Sequence, residues 1–102
     1  MFDKDSFHSA CDWYYEAHNA NNPGRYSAVV HNFTGLREDA ANEAQKSEAH
    51  SDILDDNVFL AFDKVINLAQ NKTHTTDFNI AVELISRAIE AVDALEQGEV
   101  NS

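Results

Sequence analysis

DILDDNVFLAFDKVINLAQ, residues 52–70, is the stretch whose reading decides the fold class. Leu54, Val58, Ala61, Val65 and Leu68 recur at the three- and four-residue spacing that lines them up on one face of a helix. Phe59, Phe62, Ile66 and Ala69 widen that face to about half the circumference, and Ile53 and Leu60 fall on a further side. A helix apolar on so many sides is normally surrounded. It therefore takes a central place in a bundle or meets a second copy of the chain. Phe59, Leu60 and Ile66 are the candidates for that oligomer interface, with a homodimer as the expected assembly.

Working outward, the same periodicity marks helices over approximately 5–20, 25–48 and 77–97. The first buries Phe7, Ala10, Cys11, Tyr14 and His18, the second Tyr26, Val29, Phe33, Leu36 and Ala40. The last uses Phe78, Ala81, Ile85, Ala88, Val92 and Leu95. Asn21-Asn22-Pro23-Gly24 is the clearest loop, and residues 71–76 form another that ends in a Thr or Asp cap. Between 42 and 51 the chain is Ala-rich and charged, with helix propensity but nothing large to bury. A break there, with Ser51 or Asp52 as the N-cap, is the expectation. Gly98 is placed to stop the last helix, leaving 98–102 as a frayed tail.

The chain is short on turn residues, with three Gly and one Pro, which argues against a sandwich or barrel built from many hairpins. With 102 residues there is room for one core, so a single all-α domain over 1–102 is expected: a compact antiparallel helical bundle of three to four helices.

Charge narrows the function classes. Eighteen acidic residues against seven basic give a formal −11, and no basic cluster exists to meet phosphates or an anionic membrane. The expected partner is a protein, basic in character, and neither nucleic acid nor membrane. Cys11 is the only cysteine and nothing resembles a secretion signal, which points to the reducing cytoplasm and makes the two Asn-x-Thr sequons chance matches. On its apolar face Cys11 reads as an inert thiol.

Carboxylates are the first functional candidate. If the helix extends back to 48, Glu48, Asp52, Asp56 and Asp63 share one side of it, and Glu83, Glu90 and Asp93 share the polar side of the last helix. Carboxylates four residues apart sit about 6 Å apart along the axis, the order of the phosphate spacing in a nucleic acid strand. Such a stripe could imitate a phosphate backbone; the alternative is a solvated face that only confers solubility.

Aromatics are the second. Trp13, Tyr14 and Tyr15 are consecutive and point about 100° apart, so they cannot all face one core. With Tyr14 on the core stripe, Trp13 and Tyr15 are left for a partner or for sideways packing on a neighbouring helix.

Metal and catalysis are not expected. His8, Cys11 and His18 cannot converge, because ten helical residues span about 15 Å, and no paired ligand spacing occurs. The ladder Glu90, Asp93, Glu96, Glu99 rotates around its helix, and no phosphate-binding loop is present.

The sequence thus reads as a non-catalytic acidic protein-binding module without a cofactor. The sharper version is an inhibitor of viral or mobile-element type that shows a nucleic-acid-mimicking face to a basic or nucleic-acid-binding protein. The alternative is a homo-oligomeric structural subunit, and a metal-dependent nucleotide hydrolase comes a distant third.

Overall fold

The chain folds as α1 (Lys4–Asn19), α2 (Gly24–Ala44), a short α3 (Glu48–Ile53), α4 (Asp56–Gln70) and α5 (Asp77–Asn101). This computed structural model describes the backbone of residues 2–101 and the side chains of residues 2–98. The expected all-α bundle is what forms: α2 packs on α1 and α4, and α4 on α5. Large side chains close the ring between α1 and α5, Tyr14 against Phe78 near one end and Lys4 against Asp93 near the other. Those pairings run α5 antiparallel to α1. The small α3 lies across one end, between α2 and α5.

Local chemistry sets the helix ends. Asp3 accepts the Ser6 backbone N–H at 3.1 Å and caps α1, and that bond is the main reason its carboxyl titrates below the usual value. Asn21 and Lys72 both adopt φ of 53°, the left-handed turn that ends α1 and α4. There the Asn22 and Thr73 amides reach back to the Ala17 and Leu68 carbonyls, at 3.1 and 2.9 Å.

The region between α2 and α4 differs from the expected single break at Ser51 or Asp52. Both of those residues lie inside α3, which separates two breaks. Ser47 and Asp55 sit in extended backbone, where each side chain accepts the N–H three residues on, from His50 and Val58. Two good caps end the helix twice without Gly or Pro. At the other end Gly98 does not stop α5, which continues to Asn101. Glycine permits the left-handed conformation of a C-terminal stop but does not impose it, and no glycine here adopts positive φ. The expected frayed tail is therefore helical as far as the described residues run.

The core follows most of the sequence stripes, with Phe7, Tyr14, Val29, Phe33, Leu36, Phe62, Val65, Phe78, Ile85 and Val92 all buried. The exception is His18, which is exposed near the end of α1 while Ala17 is buried. Tyr14 is its hub. The ring stacks on Phe78, and its hydroxyl donates to the Thr73 carbonyl at 2.7 Å and accepts the Thr75 amide at 3.1 Å. One residue of α1 thereby fixes the loop that launches α5.

His74, in that loop, stacks between Tyr14 and His18, with ring centroids 5.0 and 4.2 Å away. Burial, and then the nearby His18, hold its pKa below the ordinary 6.5. The unfolded chain consequently takes up this proton more readily than the folded one. Its contribution is complete above about pH 6.5 and is lost as pH falls below that value. Urea midpoints at pH 7.5 and 5.5 should drop less for His74→Gln than for wild type. Equal drops would remove His74 from the acid limb.

Candidate functional site

Two places depart from an ordinary helical surface. The first is a groove of about 470 Å³ between the outer faces of α4 and α5. Leu60, Ile80 and Leu84 line it while 63%, 69% and 39% exposed, and they are the large exposed hydrophobics among the described residues. Antiparallel pairing brings them together: Lys64 faces Asp77 at 3.7 Å, which sets Leu60 beside Ile80 and Leu84. Ala61 and Ala81 form the floor. The rim is charged, with Arg87 on Glu83 at 2.7 Å at one end and the Lys64–Asp77 pair at the other.

The second is a polar cluster where α3 crosses α2 and α5. Glu43 and His50 are only 1% and 2% exposed, the two buried polar residues of the described chain. His50 Nε2 lies 3.9 Å from Glu43 Oε2 and 3.9 Å from Glu96 Oε1. Its other ring nitrogen, Nδ1, lies 2.6 Å from the Ser47 hydroxyl. On the solvent side Lys46 Nζ bridges the carboxylates, 2.9 Å from Glu43 Oε1 and 3.5 Å from Glu96 Oε1. Burial alone would raise the Glu43 pKa, but its hydrogen-bonding neighbours, Lys46 among them, outweigh that and hold it at about 2. The same bond raises the Lys46 pKa.

The residues singled out from the sequence are distributed over several faces. Glu48 and Asp52 are exposed on α3, Asp56 and Asp63 on α4, Glu83 and Glu90 on α5. The break at Leu54 and Asp55 interrupts the continuous helix that a single stripe from Glu48 to Asp63 requires. Asp63 is paired with Arg37 at 2.9 Å, Glu83 with Arg87, and Asp93 with Lys4 across to α1. The aromatics have intramolecular partners. Trp13 is half-buried beneath the Arg25 guanidinium, 5.5 Å from its ring, and Tyr15 lies on α5 with its hydroxyl donating to Asn79. Phe59 is half-buried under Arg37 and Ile66 half-buried against the core, so of that trio only Leu60 faces the groove. Burial pushes the Cys11 thiol up to about 11, so it stays protonated and inert.

Ile80 and Leu84 lie off the Phe78–Ala81–Ile85 stripe, and their spacing of four residues is the sequence signal for this second apolar side of α5. Glu43, His50 and Glu96 had no such signal. They come from three helices, and only the turn at 45–47 lets His50 double back on Glu43.

Comparison with protein-family models, curated proteins and solved structures finds no match to this chain. Among the described residues no helix is long and apolar enough to cross a membrane.

Proposed function

We propose that this chain is a non-catalytic protein-binding module whose docking face is the α4–α5 groove, and that its partner presents a basic amphipathic helix. The observation that carries this reading is the convergence of Leu60, Ile80 and Leu84 on one rimmed groove, while the other large hydrophobics among the described residues are at least partly covered. A helix laid in such a groove buries its apolar side against these residues and turns its polar side to the rim. The groove's own rim is charge-balanced, Lys64 on Asp77 and Arg87 on Glu83, and it is the chain's charge of −11 that favours a partner carrying lysine and arginine. The same charge opposes a second copy, since two such chains repel. Phosphate mimicry needs a continuous acidic stripe and is the less favoured version.

A labelled amphipathic Leu/Lys helix peptide, followed by fluorescence anisotropy, tests this. Wild type should bind it, and Leu84→Asp should weaken binding about tenfold, the loss of one well-buried leucine contact. That variant adds negative charge, so attraction by charge alone would strengthen instead. Unchanged or tighter binding by Leu84→Asp overturns the groove reading. A wild-type dimer in sedimentation, dissociated by Leu60→Asp, would make the occupant a second copy and overturn the basic-partner reading.

A further inference from the structure

We propose that Glu43, His50 and Glu96 form a binding site for one divalent transition-metal ion of the zinc class, clamping α2, α3 and α5 at the end of the bundle. One donor atom from each of the three lies within 4.8 Å of the other two. A tetrahedral ion at the usual zinc distances holds its donors about 3.4 Å apart. The two His50–carboxylate edges are 3.9 Å, about half an ångström longer than that, so a bound ion has to draw each carboxylate oxygen in by only a short distance.

His50 supplies an observation independent of the carboxylates. Its Nε2 is buried and finds no hydrogen-bond partner among the described residues, although it points between two carboxylates. With the ring proton on Nδ1, donated to Ser47, the Nε2 lone pair faces two negative groups. With the proton on Nε2, a buried N–H has no acceptor in reach. A cation between the three groups resolves both situations: it takes the Nε2 lone pair while the ring proton sits on Nδ1, within hydrogen-bond distance of the Ser47 hydroxyl.

The donor set chooses the ion. One imidazole nitrogen with two carboxylate oxygens suits zinc and its first-row neighbours. Calcium and magnesium ask for more oxygen ligands than this site offers. Lys46 stands as the competitor, since its ammonium occupies the carboxylates' outer edge. On metal binding Nζ moves off Glu96 Oε1 toward solvent, where the side chain is already half exposed.

The test uses the full chain after chelator treatment, titrated with zinc chloride by calorimetry and with cobalt(II) by visible absorption. Expected results are one equivalent bound, cobalt bands of four- or five-coordinate nitrogen–oxygen ligation, and a raised melting temperature. His50→Gln and Glu96→Gln, both checked for native helicity, should lower affinity at least tenfold. Lys46→Met should raise it. Absence of binding by wild type overturns the proposal. So does binding that His50→Gln and Glu96→Gln leave unchanged, which would place the ion on surface carboxylates or on His18 and His74. Lys46→Met that melts lower and binds no more tightly also overturns it, by showing that Lys46 is the cluster's own cation.

Discussion

Replacing Tyr14 with alanine should remove about 5 kcal/mol of folding stability, the largest loss expected from any single truncation in this chain. Truncating a buried aromatic ring costs about 3–5 kcal/mol through lost contacts and the cavity left behind. Tyr14 is fully buried, stacks on Phe78 and meets Tyr15 and Tyr26 edge-on, so its site sits at the upper end of that range. Its hydroxyl adds a second loss, because the Thr73 carbonyl and the Thr75 amide each forfeit a partner. Tyr14→Phe isolates that part and should cost about 1–3 kcal/mol. A domain of this kind is stable by about 5–15 kcal/mol in all. Tyr14→Ala should therefore melt about 20 °C or more below wild type, or show no cooperative transition in urea. A shift of only a few degrees would mean that α1 is not the anchor of the α4–α5 loop.

The centrality of Tyr14 was legible in its sequence, and its reach was not. Spacing placed it on the stripe with Phe7 and Ala10, because burial along a helix follows the 3.6-residue period. The bonds to Thr73 and Thr75 join residues some sixty positions apart, and no local pattern encodes that contact. The same division holds elsewhere. The stripes of α2 and α5 predicted the buried residues Val29, Phe33, Leu36, Phe78 and Ile85. The apolar excess around residues 52–70 pointed to an unpartnered side, and Leu60 is on it.

What went unread depended on short breaks and on pairing between helices. Ser47 and Asp55 cap as well as Ser51 or Asp52 would, so propensity could not select among them, and the choice decides whether Glu48 to Asp63 is one stripe or two helices. That same turn carries His50 back onto Glu43. An acidic residue in an Ala-rich helical stretch reads as solvated, and Glu43 is instead among the most buried side chains of the molecule.

That burial makes Glu43 the site of the second large effect. Glu43→Ala should cost about 3 kcal/mol in metal-free buffer at pH 7, because it leaves a cavity and removes one partner of a buried ionic network. Lys46 is half exposed and regains water when its partner goes, which keeps the loss at the lower end for such breaks. Glu43→Leu fills most of the volume and takes the desolvated charge away altogether. It should fall within about 1 kcal/mol of wild type, since it restores the packing that alanine loses and the one partner left behind, Lys46, is half exposed and regains water. Urea unfolding of both variants, read by circular dichroism, separates two accounts of the cluster. Equal losses would make the carboxylate a structural tie that volume cannot replace. A costly alanine beside a harmless leucine would mean that folding does not require the charge. The carboxylate would then have to be explained by what it binds, and the stabilisation that zinc gives wild type should be missing from Glu43→Leu.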